Sequence, residues 1–200
     1  MALDAWLHSR LQGEWETTKP KNTEERTIAP VDEKSLRVWR GYLRHHKGEM
    51  HAFEMRFTKA YPLEPPEFEW LTPISHPNIE PPKPQGLGRV CLDWLTNPRE
   101  WSPDTSVNAI IEGALYVLNN PNPSDPMMHR SCLREAIRML EEDISKHSDA
   151  EPNLPKVRML LASAKQSIER PSVSTSDEMA YKLIKEAALL LGYKQKGARA

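Results

Sequence analysis

The chain has 200 residues, enough to bury a substantial core as one domain with appendages rather than two equal domains. Its 27 basic and 28 acidic residues leave a formal net charge of −1, which gives no global attraction to nucleic acid or to an anionic membrane, and neither is expected as a partner. Two distant cysteines make no disulfide framework, no apolar run approaches the ~20 residues a membrane-spanning helix needs, and Asp4, His8 and Arg10 interrupt the first apolar segment; a reducing cytoplasmic setting (or a nuclear one in a eukaryote) without a secretory leader is expected.

Leu3, Leu7 and Leu11 share one stripe, with Trp6 beside them, and predict a short N-terminal helix. Residues 17–34 are polar, carry Pro20 and Pro30, and read as a loop. Leu36, Val38, Trp39, Tyr42 and Leu43 favour a strand over 36–44. Phe53, Met55 and Phe57 alternate with Glu54, Arg56 and Thr58, the pattern of a half-buried strand with one wet face. Pro62, Pro65 and Pro66 stop it, and Phe68 and Trp70 alternate with Glu67 and Glu69 in a third short strand. Three strands with brief connections predict an antiparallel meander. From 72 to 102, Pro77, Pro81, Pro82, Pro84, Gly86 and Gly88 impose an irregular path, and Cys91 lies on or beside it.

After Pro103, Val107, Ile110, Ile111, Ala114, Leu115 and Leu118 form a broad apolar stripe, with Thr105 or Ser106 as N-cap and Gly113 as a modest weakness. Pro121, Pro123 and Pro126 force a stiff turn before a helix with Leu133, Ala136, Ile137, Leu140 and Ile144 on its stripe; Cys132 adjoins it as a small buried filler. Val157, Leu160, Leu161, Ala164 and Ile168 predict a further helix, and Pro171 interrupts it. Thr175 and Glu178 make a capping box before Met179, Leu183, Ala187, Leu190 and Leu191, and Gly192 closes that last helix. The tail is too apolar for disorder. It is expected to pack on the body as a helical extension, with a docking module for a partner protein as the alternative, and Lys194, Lys196 and Arg199 read as a frayed, solvated end.

Cys91 sits among rigid landmarks. Tyr61-Pro62-Leu63-Glu64-Pro65-Pro66 and His76-Pro77-Asn78 precede it, and Leu92-Asp93-Trp94 follows directly. Trp101-Ser102-Pro103 and Asn119-Asn120-Pro121-Asn122-Pro123-Ser124-Asp125-Pro126 complete the set. A thiol attacks only as thiolate, and no Cys-His pair stands at a hydrolase-like local spacing; His76 is the nearest candidate base, with Pro77 turning the chain beside it.

In this order and around a cysteine, these motifs resemble the ubiquitin-conjugating enzyme family over roughly residues 2–145. The resemblance implies an α+β fold with an N-terminal helix, an antiparallel meander sheet, an active-site loop and C-terminal helices. The family-like core would span 1–148, with a helical extension over 149–200. It also implies that Cys91 accepts the C-terminal carboxylate of ubiquitin or a ubiquitin-like modifier as a thioester from an ATP-dependent activating enzyme. The acyl group then passes to a substrate lysine with the help of a RING-type ligase, without cofactor or metal. Asn78 matches the family asparagine credited with oxyanion stabilisation and loop ordering, and Asp125 the acidic residue that orients the entering lysine. His76 and Pro77 are expected as scaffold, Asp93 as a loop or helix-end brace, and Tyr61 and Trp101 as packing anchors. Leu63, Ser102 and Pro103 match the loops that ligases grip, Leu63 standing where an aromatic is common. Two rivals remain at this stage: a catalytically silent relative that binds ubiquitin or partner proteins, and a thiol hydrolase with a histidine turned onto Cys91. Departures from the family pattern surround the groove: a short connection at 44–49, a long linker from Asn78 to Cys91, and a small insertion at Thr96-Asn97-Pro98-Arg99.

Overall fold

A computed structural model of the chain describes residues 2–97, 99–147, 151–170 and 174–193. They fall into two units: residues 1–74 with 81–120, and residues 75–80 with 121–200.

The first unit begins with helix α1 (Ala2–Thr18), longer than the short helix expected, burying Leu7 and Leu11 and leaving Trp6 exposed. Strands β1 (Arg26–Pro30), β2 (Val38–Arg44), β3 (Met50–Arg56) and β4 (Glu67–Trp70) follow. They form one antiparallel sheet in the order β1-β2-β3-β4, so the expected meander is present. It has four strands, not three. β1 lies inside the segment that reads as loop, because one of its inward positions is Arg26. The Arg26 guanidinium is buried against Glu112 and donates to Asn108 Oδ1 at 2.8 Å, so the alternation is real but hydropathy conceals it. The second face of β3 is also not wet at its centre. Glu54 is only 2% exposed because Arg40, its cross-strand neighbour, donates to it at 2.6 Å and Arg56 pairs with it from the same strand.

Aromatic side chains fill this unit as a continuous run. Trp15 meets Trp39 (5.6 Å between centroids), Trp39 meets Phe57 (5.3 Å), Phe57 meets Tyr61 (4.9 Å) and Tyr61 meets Trp101 (6.4 Å). Such pairs contribute about 0.5–1.5 kcal/mol each beyond the area they bury. Two short helices follow in this unit, α2 (Asp93–Thr96) and α3 (Val107–Asn119). Ser106 is the N-cap of α3, its hydroxyl accepting from Ala109 N–H at 3.2 Å. Glu14, reaching from α1, accepts from Val107 N–H at 3.0 Å and satisfies a second orphan donor of that helix end.

The second unit packs α4 (Arg130–Ile144), α5 (Leu154–Glu169) and α6 (Ser174–Leu190) around one apolar cluster. The stripes expected for α4 and α5 are buried as read. For α6 the fully buried positions are Ala180, Ile184, Ala187 and Ala188; of the expected stripe Ala187 is among them, Leu183, Leu190 and Leu191 pack half-buried against the cluster, and Met179 is exposed. Three of the four fully buried positions are alanines, which let α6 approach its neighbours closely. Thr175 lies within the first turn of α6, not ahead of it, so it is no N-cap. The end of α6 is a Schellman motif. Gly192, at φ 87°, donates to Leu189 O (3.0 Å), and Tyr193 N–H donates to Ala188 O (3.0 Å). The expectations for Pro98, Pro171, Lys194, Lys196 and Arg199 fall outside the described residues.

Candidate active site

The run into Cys91 is shaped by its prolines. Gly88 N–H donates to Pro81 O (2.9 Å) and Gly86 N–H to Pro82 O (3.3 Å), folding the segment on itself. Trp70 N–H then donates to Gly88 O (2.8 Å) and hooks the folded loop to the end of β4. Beyond it the side chains alternate. Val90 and Leu92 are buried, and Cys91 between them opens partly to solvent. Neither cysteine forms a disulfide. Cys132, by contrast, is fully buried in the second unit and its thiol donates to Ile79 O at 3.1 Å.

Directly after Cys91 comes the single turn of α2, with Asp93 in its first position. Trp94 stacks on Trp101 at 6.4 Å and 26°. Gly113 of α3 lies against Leu92 and Trp94: a Cβ there would sit 3.0 Å from the Trp94 ring and 3.2 Å from a Leu92 methyl. The glycine that weakens α3 by about 1 kcal/mol is therefore what lets the segment after Cys91 settle on it. Trp101 is buried, and its indole N–H donates to Pro62 O at 2.7 Å, joining the 101–103 loop to the Tyr61-Pro62-Leu63 turn. Tyr61 is fully buried with its hydroxyl 3.3 Å from Glu14 Oε1; burial and the Glu14 charge push its ionisation well above the ordinary phenol range. Leu63 is 76% exposed, and Ser102 and Pro103 are exposed as well.

The second unit holds the other group of residues. His76 Nδ1 accepts from Asn78 N–H at 3.0 Å, which leaves the proton of the neutral ring on Nε2. Met127 N–H donates to Pro77 O at 2.9 Å. The Asn78 amide, 5% exposed, is fully engaged: Nδ2 donates to Asn122 O (3.2 Å) and Asp125 O (2.9 Å), and Oδ1 accepts from Asn122 N–H (2.7 Å). Asn122 Oδ1 in turn accepts from Ser124 N–H (3.0 Å) and its hydroxyl (2.7 Å), closing the turn that carries Asp125. Ser75 ties the base of this segment to α4 by donating to Glu135 Oε2 (2.8 Å). Arg138, bonded to the same carboxyl, and Ser75 hold Glu135 below the usual carboxylate range. The Asp125 carboxylate is itself partnered. Tyr181 OH donates to Oδ1 at 2.6 Å and Lys185 Nζ lies 3.4 Å from the same oxygen.

The structure thus gathers His76, Pro77, Asn78 and Asp125 in one unit, and Tyr61, Leu63, Cys91, Asp93, Trp101, Ser102 and Pro103 in the other. Glu14, Glu135, Tyr181 and Lys185 were not anticipated. The spacing of Asp177, Tyr181 and Lys185 by four residues is the one trace of the last two that the sequence holds. Among the described residues no group of three or more His, Cys, Asp or Glu side chains could hold a metal ion, and no helix is long and apolar enough to cross a membrane.

This combination of helix, four-stranded meander, cysteine-bearing stretch and helices is a ubiquitin-conjugating fold. Residues 10–149 match the sequence profile described as Ubiquitin-conjugating enzyme, and the chain belongs to that family. It is 33% identical over 100 residues to Ubiquitin-conjugating enzyme E2 T of Danio rerio, covering 49% of each chain. It is 36% identical over 86 residues to the Homo sapiens protein of that name (42% of this chain, 41% of that one). It is also 32% identical over 126 residues to the NEDD8-conjugating enzyme UBC12 of Saccharomyces cerevisiae, over 63% of this chain and 59% of that one. The matches thus span about half the length of the first two relatives. A solved structure described as a novel ubiquitin-conjugating enzyme superposes with a TM-score of 0.57 at 26% identity, over 72% of this chain and 90% of that one.

Proposed function

We propose that this chain carries ubiquitin or a ubiquitin-like modifier as a thioester on Cys91 and transfers it to a lysine amine. In loading, the Cys91 thiolate attacks the thioester held by an ATP-dependent activating enzyme, and the acyl group moves from one sulfur to the other. In discharge, a lysine nitrogen attacks the carbonyl carbon. The C–N bond forms, the C–S bond breaks, Cys91 leaves as thiolate and the amine proton goes to solvent. The observation that supports this most is the alternation at Val90-Cys91-Leu92, which leaves Cys91 partly exposed between two buried residues while Cys132 is fully buried.

In this reading Asp125 receives the acceptor ammonium and orients it, and the nitrogen attacks after losing a first proton to solvent, the second leaving as the amide forms. Asn78 is first a positioning residue, because its amide is spent on the Asn122–Asp125 turn. Donation to a tetrahedral oxyanion would require release of its longer bond, to Asn122 O. Leu63, Ser102 and Pro103, exposed on loops joined through Trp101, suit a RING-type ligase. The relatives' names point to ubiquitin and NEDD8 as the modifiers to try.

The test is incubation with ATP, a matched activating enzyme and either modifier, followed by non-reducing electrophoresis. An adduct that thiol reagents remove is expected for the native chain. Cys91→Ser should give none, or an ester that survives the reagent. An unchanged thiol-sensitive adduct on Cys91→Ser refutes the assignment.

A further inference from the structure

Asp177, Tyr181 and Lys185 are four residues apart on α6 and form one stripe of that helix. Each position on it is bonded to the start of α4 or to the turn before it. Arg130 Nε donates to Asp177 Oδ1 at 2.9 Å, Tyr181 OH donates to Asp125 Oδ1 at 2.6 Å, and Lys185 Nζ stands 3.4 Å from that oxygen and 3.2 Å from the Tyr181 hydroxyl. The stripe beside it, Ala180, Ile184 and Ala188, is fully buried in the cluster shared with α4 and α5. An apolar seat therefore holds the polar stripe on Asp125; it is not a loose tail that brushes the carboxylate.

We propose that Lys185 occupies the acceptor-lysine position on Asp125, with Tyr181 as the positioning residue between them, so that α6 sets which acceptor amines the site takes. This rests on the reading of Asp125 as the carboxylate that receives the acceptor. A primary ammonium against that oxygen is what any acceptor lysine offers. Here the chain supplies one itself, at the high effective concentration of a tethered group. Lys185 is a poor nucleophile in this place. The hydrogen bond to Tyr181 and the Asp125 charge hold its amine protonated above the ordinary lysine range, against the opposing effect of burial. Engaged by both the Tyr181 hydroxyl and Asp125 Oδ1, it fills the position as an ammonium. The pair is also displaceable, since Lys185 is 28% and Asp125 25% exposed and such partly solvated ion pairs are weak. An acceptor delivered at high local concentration by a bound partner displaces Lys185, whereas a dilute amine is turned away.

The experiment is single-turnover discharge of the loaded full-length chain to free L-lysine over a range of concentrations, after the activating enzyme is quenched. Lys185→Met keeps the aliphatic stem and removes the ammonium. It should lower the half-saturating lysine concentration by roughly two- to five-fold, the span expected for a partly exposed ion pair. Tyr181→Phe should shift it in the same direction. Lys182→Met, which removes a charge from an exposed position of the same helix, should not move it. In an Asp125→Asn background the effect of Lys185→Met should vanish. If Asp125→Asn slows discharge while Lys185→Met and Tyr181→Phe leave the lysine dependence untouched, the proposal fails and the reading of Asp125 stands. If Asp125→Asn discharges like the native chain, the reading of Asp125 itself fails. If peptide mapping finds the modifier on Lys185, that amine is an acceptor and the proposal is overturned.

Discussion

Replacing Asn78 with alanine separates the structural weight of this residue from its chemistry. The amide makes three hydrogen bonds from a site only 5% exposed, two donated to Asn122 O and Asp125 O and one accepted from Asn122 N–H. A typical intramolecular hydrogen bond contributes about 1 kcal/mol net, and a stranded buried donor costs about 1–3 kcal/mol. The three losses together, with Asn122 N–H left without its acceptor, give an expected destabilisation of about 3 kcal/mol. Asn78→Asp keeps the acceptor oxygen, loses both donors and sets a carboxylate against two carbonyl oxygens, so it should be no milder than alanine. The assay is urea unfolding followed by far-ultraviolet circular dichroism. With an m-value near 2 kcal/mol/M, the midpoint should fall by about 1.5 M with m unchanged. In parallel, discharge of the Cys91 thioester to lysine should slow more than loading does, because the Asp125 turn loses its brace. A variant that unfolds within about 0.5 kcal/mol of the native chain shows that the three bonds do not hold the turn. The positional argument for Asn78 would then be wrong, even if discharge slows.

Two further outcomes follow from packing and titration. Ile184→Ala removes a fully buried side chain from the cluster of α4, α5 and α6, and should cost about 3 kcal/mol in the same unfolding assay; a loss below about 1 kcal/mol would mean that α6 is not seated as described. His51 is buried beside the Trp70 ring, with His45 in edge contact and Glu49 at 3.8 Å, and burial lowers its pKa, the Glu49 charge opposing. Its stabilising contribution is therefore complete above about pH 6.5, the unfolded-state value, and shrinks as pH falls, because the unfolded ring takes a proton the folded one resists. Urea midpoints at pH 7.5, 6.5 and 5.5 should converge less for the native chain than for His51→Gln, whose midpoint should drop less on acidification. Equal drops in the two proteins would contradict the assignment.

Much of this molecule was legible as pattern. α4 and α5 carry apolar stripes at helical spacing that are buried where periodicity put them, and on α3 the same holds except that Leu115 is half-buried and Val117 is buried in addition. Pattern failed where a charged side chain points inward. Arg26 disguised β1 because its partners, Asn108 and Glu112, lie more than eighty residues away. Glu54 suggested a wet face that Arg40 and Arg56 in fact cover. On α6 periodicity placed Ala187 correctly and Leu183 at the edge of the cluster, but missed the buried Ala180, Ile184 and Ala188 and included the exposed Met179. The landmarks around Cys91 were visible as motifs. Their joins were not: Asn78 to Asp125 crosses 47 residues and Tyr181 to Asp125 crosses 56, distances over which no periodicity speaks.

The bonds from Asn78 to the Asn122–Asp125 turn lie wholly inside one unit, while the stretch from Pro81 to Asn120 belongs to the other. The residues between Pro81 and Cys91 make none of those three amide bonds, whereas the 44–49 connection reaches the approach to the turn, since His46 N–H donates to Asn119 Oδ1 at 2.6 Å. Under the proposed thioester chemistry, loop length between Pro81 and Cys91 is therefore a variable that can be changed on the thiol side without replacing any hydrogen-bond partner of the Asn78 amide.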